Sequence, residues 1–490
     1  MRLSKLLAAA KIPYGGADRE IERVVCDSRA AGKRTLFVCI RGFASDGHNF
    51  AARAYAAGCR TFLCEQAVDL PADALVICAE NTRIALAKVS AAFFGYPAEK
   101  LQVIGITGTK GKTTSALMLC SILNRGGVPA GYIGSNGIEF AGRHFETKNT
   151  TPESLELHYY FDQMVRAGIR AVVLEVSSQA LYLNRVYGIR FAAVAFTNLA
   201  PDHIGEMEHP TFEHYRDSKK QLFSAYSSDY AVYNAEDGAA AYMLDGCRAL
   251  RSSFGLETGD FHAEGIEPFL SDGELGVRFT LCHFSKRVPV RLCMPGTFSV
   301  YNALCAAALA QRFGVSLSDC AGALGAAHVQ GRFEVVRTRM PAVFIIDYAH
   351  NGFSLSQALA TLRAYRPARL ICVLGSVGGR TEGRRAELGV ALSEACDLAV
   401  LTADNPDFED PLKICAEIRA AFVRDIACQI FALREDAIAF AVREARRGDI
   451  VLFAGKGHEQ YQLIRGGKHP FSERKLIEKY AMEAAAELVQ

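Results

Sequence analysis

The stretch that decides the fold is LQVIGITGTKGKTTSALMLCSILNRGG, residues 101–127. It opens with a short apolar run, passes through a loop of small residues, and continues with helical periodicity until Gly126-Gly127. An apolar strand, a glycine-rich turn and a helix closed by glycine form one βα unit. The turn has what a phosphate cradle needs. Gly108 and Gly111 permit unusual dihedrals and close backbone approach, Lys112 brings a point charge, Thr113 offers a hydroxyl to a metal ion, and the helix N-terminus faces the anion. Yet the common loop G-x-x-x-x-G-K-[ST] would require glycine where Ile106 stands.

Further apolar runs follow: AVVLEVS (171–177), FAAVAFTN (191–198), DYAVYNA (229–235), AVFIIDYAH (342–350), RLICVLG (369–375), LAVLTADN (398–405) and DIVLFAGKGHE (449–459). Continuous apolar strands separated by helical patterns imply α/β architecture with doubly wound parallel sheets. The first part, with RVVCDSRAAGKRTLFVCIRG (23–42), is strand-rich and has no such loop, while AAHVQGRFEVV (326–336) reads as a linker. Three domains are expected, a smaller α/β domain over 1–97, a central one built on the phosphate loop over 98–330, and a Rossmann-like one over 331–490. Ligands of open parallel sheets bind beyond the carboxyl ends of strands. Polar residues gather at five such ends: Glu175 with Ser177-Ser178, Asn198 with Asp202 and His203, Asp347 with His350, Asp404-Asn405, and Lys456 with His458-Glu459.

The chain has 490 residues, 50% hydrophobic and 22% charged, with a net charge of +2. Neither a nucleic-acid footprint nor an acidic-membrane footprint is implied. Fifteen cysteines occur singly, with no C-x-x-C pair, so free thiols of a reducing compartment fit better than a zinc site. No signal-peptide core and no run approaching ~18 apolar residues is found. The expectation is a cytoplasmic protein, a monomer, working on small molecules without nucleic-acid or membrane partners.

Glu175, an acid directly after an apolar run, is a carboxylate candidate for Mg²⁺, which prefers oxygen ligands. His203 is a second candidate, although a loop histidine satisfied by its neighbours is the plainer reading.

GITGTKGKTT, EVSSQAL, FTNLAPDHI, YNALCAAALA, GRFE, DYAHN and DNP…GKGHE resemble, in this order and over almost the whole chain, the Mur ligase family of ATP-dependent amide-forming enzymes of cell-wall precursor synthesis. The loop form of that family, G-T-[NK]-G-K-[ST], is met at every position from Gly108 to Thr113. DSR and DGHNF near the start and NTTPE at 149–153 resemble the branch that adds a diamino acid to the D-glutamate of UDP-N-acetylmuramoyl-L-alanyl-D-glutamate. The resemblance implies an acyl-phosphate route with ATP and Mg²⁺, and these roles. Ser28, Asp46, Gly47 and His48 lie near the uridine nucleotide. Asn149, Thr150, Thr151, Ser177 and Arg185 hold the sugar–dipeptide. Gly108, Thr109, Lys110, Gly111, Lys112, Thr113, Thr114, Asn302, Arg332, Asp347 and His350 bind ATP. Thr113, Glu175 and His203 hold the metal, and Lys219 is carbamylated, with Lys220 left open as the alternative register. Lys112, Glu175, His203 and Lys219 would be the catalytic set.

Arg380, Asp404, Asn405, Asp407, Gly455 and Glu459 would form the amino-acid pocket. Diaminopimelate enzymes of the family carry DNPR, whose arginine receives the distal carboxylate, whereas this chain has DNPD. An acid at 407 would repel a carboxylate and suit an ammonium, so L-lysine is expected and meso-diaminopimelate is the alternative. The plainer reading of Asp407 is that it starts the next turn. Leu183 and YAHNGFSL depart from the commoner family forms. Folylpolyglutamate synthase shares the loop but lacks the DSR…DGHNF region. A nucleotide switch would carry an N-K-x-D motif that is absent after the loop.

Overall fold

The computed structural model describes residues 1–42, 45–202, 204–205, 208–271, 273–379 and 382–487. The chain forms two compact units, Met1–His262 with Tyr301–Cys320, and Ala263–Val300 with Ala321–Gln490.

The first unit holds two sheets with separate cores. The smaller has four parallel strands in sequence order, β1 (Arg23–Val25), β2 (Thr35–Val38), β3 (Thr61–Cys64) and β4 (Leu75–Cys78). Helices Leu3–Ala9 and Thr82–Phe93 bury Leu3, Leu6, Leu86 and Val89 against it. The larger sheet uses β5 (Gln102–Thr107), β6 (Ala130–Gly134), β7 (Gly137–Phe140), β8 (Arg143–Phe145), β9 (Ala171–Glu175), β10 (Ala193–Phe196), β11 (Tyr230–Asn234) and β12 (Leu250–Phe254). Their order is β12-β11-β10-β5-β9-β6-β7-β8, parallel except for the β6-β7-β8 meander. β5 lies between β10 and β9, and helix Lys112–Arg125 leads from it over β9 to β6. The phosphate-loop candidate therefore emerges at the interior of the sheet, where a doubly wound fold opens its crevice.

The second unit contains the long strand β13 (Phe261–Ser271), most of which belongs to it, and the antiparallel pair β14 (Glu274–His283) and β15 (Lys286–Leu292). Its main sheet uses β16 (Glu334–Val336), β17 (Val343–Asp347), β18 (Leu370–Leu374), β19 (Leu398–Leu401), β20 (Ala427–Ile430) and β21 (Ile450–Ala454). The order is β16-β17-β21-β18-β19-β20, parallel apart from β16. Alternate residues feed two cores. Val343 and Ile345 face one with Leu370, Cys372 and Leu374, and Phe344 and Ile346 face the other with Ile371 and Val373. Two covered faces explain why these strands read as unbroken apolar runs. A hairpin of β22 (Tyr461–Ile464) and β23 (Gly467–Pro470) stands apart as its own two-stranded sheet. The expected α/β class with parallel doubly wound sheets is the observed one.

Candidate active site

The loop after β5 wraps around a buried threonine. Thr109 Oγ1 is 3.0 Å from the Tyr215 hydroxyl and accepts the Ala200 amide at 3.0 Å. Gly108 (φ 151°) and Gly111 (φ 84°) adopt backbone that L-residues avoid. A Cβ at Gly108 would strike Thr197 Oγ1, and one at Gly111 would strike Asn302 Oδ1. Asn302 also accepts the Ser115 hydroxyl at 3.2 Å, which fixes it against the loop. Asn198 holds Lys110 from both sides, accepting its amide at 2.9 Å and donating to its carbonyl at 3.0 Å. Lys112 begins the helix, and its ammonium donates to the Gly108 and Thr109 carbonyls at 2.8 and 3.0 Å. Thr114 is buried in the first turn.

Register brings Glu175 here. β9 runs parallel to β5 with Glu175 opposite Ile106, so the carboxylate lies beside the loop. It is fully buried. Oε2 accepts the Thr113 hydroxyl at 3.0 Å, and Oε1 accepts Tyr132 Oη at 2.5 Å and the Ser135 amide at 3.0 Å. The described hydrogen bonds to this side chain all come from neutral groups. Tyr132 and Ser135 carry no motif that would have marked them in the sequence.

Ser135 Oγ lies 3.0 Å from Thr150 Oγ1. Thr151 donates to the Glu175 carbonyl at 2.7 Å and accepts the Ser177 amide at 3.0 Å, and Arg185 donates to the Thr151 carbonyl at 3.0 Å. Glu153 pairs with both Arg185 (2.9 Å) and Arg83 (3.1 Å). Thr150, Thr151, Ser177 and Arg185 are thus drawn together around Glu175, with Asn149 exposed at the edge.

Helix Phe212–Ser224 sends the two neighbouring lysines in different directions. Lys219 is buried, donates to the Gly108 carbonyl at 2.8 Å and lies over the Tyr215 ring. Burial, with Lys112 nearby, holds its amine well below the usual lysine range. Lys220 points elsewhere, to Asp245 at 2.7 Å. His203 and Arg380 lie outside the described residues.

In the small sheet, Asp46 caps the turn carrying Gly47 and His48, accepting the His48 amide at 2.9 Å and contacting its Nδ1 at 2.5 Å. Ser28 is buried behind the Asp27 cap.

The second unit gathers its polar residues at strand ends. Asp347 Oδ2 accepts the Phe333 amide and Oδ1 the Ala349 amide, both at 2.8 Å. Burial raises its pKa, with Arg332 opposing. Arg332 lies over Tyr348, and His350 Nδ1 contacts the Tyr348 carbonyl at 2.8 Å. Beyond β19 and β21, Lys456 donates to Asn405 Oδ1 and to Glu459 Oε2, both at 2.7 Å, and Asn405 Nδ2 donates to Glu459 Oε2 at 2.9 Å. Burial pushes Glu459 up, but Lys456 and Asn405 pull it below its ordinary range. Gly455 (φ 105°) leaves room for the Asp404 carboxylate. Arg434, unmarked by any motif, is fully buried with Glu473 and donates to the Ala454 carbonyl at 2.8 Å and the Ala403 carbonyl at 3.4 Å. It fastens the two strand ends that carry this cluster.

Asp407 differs from the expectation. Its backbone is left-handed (φ 52°). Its amide donates to the Leu463 carbonyl at 3.0 Å, its carbonyl accepts the Arg465 amide at 2.8 Å, and Oδ1 accepts the Gly466 amide at 2.6 Å. One carboxylate oxygen clamps the β22–β23 turn, a contact with a distant hairpin that neither reading made above includes.

A glycine loop at the interior of a doubly wound sheet, a helix N-terminus, a basic side chain and a buried carboxylate beside a threonine together define a nucleotide-using α/β enzyme. Family models match on all three stretches: "Mur ligase family, catalytic domain" over 20–106, "Mur ligase middle domain" over 106–310 and "Mur ligase, glutamate ligase domain" over 331–457. The chain is 39% identical over 479 residues to the UDP-N-acetylmuramoyl-L-alanyl-D-glutamate–2,6-diaminopimelate ligase of Chlorobaculum tepidum, covering 94% of this chain and 93% of that one. It is 37% identical over 495 residues to the ligase of that name from Bacillus licheniformis, covering 99% and 100%. A solved structure of a ligase with the same name superposes with a TM-score of 0.71 at 25% identity, covering 98% and 99%. The chain belongs to the Mur ligase family. These relatives are named for diaminopimelate, the alternative to the L-lysine expected from position 407.

Among the described residues no helix is long and apolar enough to cross a membrane.

Proposed function

We propose that this chain is the ATP-dependent ligase that joins meso-diaminopimelate to the D-glutamyl carboxylate of UDP-N-acetylmuramoyl-L-alanyl-D-glutamate, in peptidoglycan precursor synthesis. It would work in the cytoplasm as a monomer of three domains, 1–97 for the UDP-sugar, 98–330 for ATP and 331–490 for the amino acid. The observation that carries the ligase reading is the meeting of Lys112, Thr113, Glu175 and Lys219 at one loop. The names of the relatives support diaminopimelate, and the hydrogen bond from Gly466 to Asp407 weakens the charge argument for lysine by giving that carboxylate a structural role.

A carboxylate does not acylate an amine unaided, because its oxygen is a poor leaving group. In the proposed reaction a glutamyl oxygen attacks the γ-phosphorus of ATP, the bond to ADP breaks, and an acyl phosphate forms. The amine then attacks the acyl carbon, the C–O bond to phosphate breaks, and the amine proton is lost. No protein nucleophile is required. Lys112 and the helix N-terminus neutralise charge on the transferring group and hold it in line. Thr151, Ser177 and Arg185 orient the acceptor, so that catalysis is mainly positioning. Asn405, Lys456 and Glu459 present acceptors and a cation to the incoming amino acid, with Asp404 and Gly455 shaping the pocket and Arg380 its partner for the α-carboxylate.

Mg²⁺ fits this donor set. Glu175 is a buried carboxylate whose described partners are neutral, an arrangement that is costly for a bare charge and favourable around a cation. Glu175 and Thr113 would hold the ion, with His203 as a further ligand, and the ion would supply charge neutralisation at the phosphates. Burial lowers the Lys219 pKa and so favours the neutral amine that carbamylation requires, and a carbamate there would put an anion beside the loop.

The test is phosphate release from ATP with Mg²⁺ and UDP-N-acetylmuramoyl-L-alanyl-D-glutamate, supplying meso-diaminopimelate, L-lysine or L-ornithine separately. Release with diaminopimelate is expected. Release only with lysine or ornithine would overturn the amino-acid assignment, and no release with any amine would overturn the ligase.

A further inference from the structure

The ends of β2, β3 and β4 carry three cysteines in one row. Val38 pairs with Leu63 and the Cys39 amide donates to the Leu63 carbonyl at 2.9 Å, so Cys39 and Cys64 continue the register; Cys64 then pairs with Cys78. Cys39 and Cys64 are fully buried with their sulfurs 3.5 Å apart, whereas Cys78 is exposed. Parallel neighbours stand about 4.8 Å apart, inside the Cα separation that a disulfide spans. The row therefore runs from the surface to a buried pair already in contact.

That pair touches the sugar-nucleotide segment. The His48 ring lies with the two sulfurs, the ligand atoms of all three falling within 4.8 Å of one another. Two clamps hold the Gly47-His48 turn, one on each residue, and each is tied to one of the cysteines. Glu65, next to Cys64, donates its amide to His48 Nε2 at 3.0 Å. Ile40, next to Cys39, accepts the Gly47 amide at 2.9 Å, and a Cβ at Gly47 would collide with the Ile40 backbone. Because a backbone amide can only donate, Nε2 is the accepting nitrogen, and Nδ1 carries the proton it gives to Asp46. With both nitrogens engaged, the trio does not offer a metal the histidine ligand it would need.

We propose that Cys39 and Cys64 are a reversible oxidation site, closed to a disulfide by a hydroperoxide that enters at Cys78, and that closure weakens binding of the UDP-sugar; this last consequence rests on the reading of the Asp46–His48 segment given above. The Cys78 thiolate attacks the peroxide, an S–O bond forms, the O–O bond breaks and alcohol or water leaves. Cys64 displaces hydroxide, which leaves as water, from the sulfenic sulfur, and Cys39 then displaces Cys78 from Cys64. In sum, two thiols lose two electrons and two protons, and one hydroperoxide becomes alcohol (or water) and a second water. Bringing the sulfurs from 3.5 Å to about 2.05 Å pulls on the two neighbours that fix the Gly47-His48 turn. In a reducing compartment such a bond is transient, as redox-sensing disulfides are.

The full-length protein would be treated with hydrogen peroxide, its free thiols alkylated, and the digest mapped by mass spectrometry. UDP-N-acetylmuramoyl-L-alanyl-D-glutamate binding would be measured calorimetrically before oxidation, after it, and after dithiothreitol. The expected result is a Cys39–Cys64 cross-linked peptide and a Kd raised about tenfold, the weight of one lost hydrogen bond, restored on reduction and unchanged by peroxide in Cys64→Ser, whereas Cys39→Ser stops at a Cys64–Cys78 cross-link. Absence of the cross-link, a cross-link with unaltered Kd, or stoichiometric zinc in the untreated protein would overturn the proposal. If the untreated protein binds no UDP-sugar while the cross-link forms, the reading of the Asp46–His48 segment fails and the oxidation site stands.

Discussion

Replacing Asp407 separates a residue that reads the substrate from one that shapes the loop. Its carboxylate accepts the Gly466 amide at 2.6 Å from a left-handed backbone with φ 52°. Asp407→Ala deletes that acceptor, which for a half-exposed charged group is worth about 1–1.5 kcal/mol, and leaves alanine in a conformation costing roughly another 1 kcal/mol. The sum of about 2 kcal/mol should lower Tm by about 5 °C at 2–4 °C per kcal/mol. Asp407→Asn keeps an acceptor oxygen and tolerates the left-handed region, so its Tm should stay within about 1–2 °C of the wild type. The two variants diverge in stability, yet neither should alter amine choice. A carboxylate paired with a substrate ammonium would contribute about 2–5 kcal/mol, some 30-fold or more in KM, whereas the turn-clamp role predicts KM for diaminopimelate and for lysine within about twofold of wild type in Asp407→Asn. The assay is steady-state phosphate release with each amine, beside a thermal melt. An Asp407→Asn protein with unchanged Tm and a KM for any amine raised tenfold or more would refute the reasoning.

Glu175→Gln keeps the shape but turns an amide NH₂ toward donors now satisfied by a carboxylate, and removes the charge offered to Mg²⁺. It should lower kcat by about 100-fold or more and raise the Mg²⁺ concentration needed for half-maximal rate; kinetics within threefold of wild type would exclude Glu175 as a ligand. Lys219 sets a pH dependence whose sign follows from burial. Its folded pKa lies well below 10.5, so between the two values the unfolded chain binds a proton that the folded chain sheds, and this group's penalty on stability, full below the folded pKa, shrinks as pH rises from there toward 10.5. Lys219→Met should flatten that slope in denaturant titrations, and the carbamate resonance given by ¹³C-bicarbonate at pH 8 should disappear with it.

The fold was legible because two features repeat without conflict. Strands covered on both faces must be apolar throughout, so the runs around Val172, Val194, Ile345 and Leu452 stand out in any frame. The loop after Thr107 announces itself because only glycine fits at Gly108 and Gly111, where Thr197 and Asn302 close over the backbone. Motif residues that end strands, such as Glu175 and Asp347, were therefore placed by their strands. Residues that complete the site from mid-strand or from the face of another helix left no such trace. Tyr132 reaches Glu175, and Arg434 ties Ala403 to Ala454, through contacts set only by sheet order.

Position 407 shows where the linear argument stops. Charge was read there as though every residue of the DNPD loop faced the pocket. Asn405 does turn toward Lys456 and Glu459. Two residues later the backbone enters the left-handed region, so the side chain leaves along a different direction and meets the Gly466 amide. The sign of a side chain's charge is written in the sequence, but the direction in which it points depends on φ, and a positive φ at a residue other than glycine carries no reliable signal. Hydrogen bonds from the β22–β23 hairpin determine that φ, and they connect residues more than fifty positions apart. The charge at 407 is therefore accounted for by the fold of the hairpin on the loop, and substitutions at the Arg465-Gly466 turn should act as Asp407→Ala does, on stability and not on amine choice.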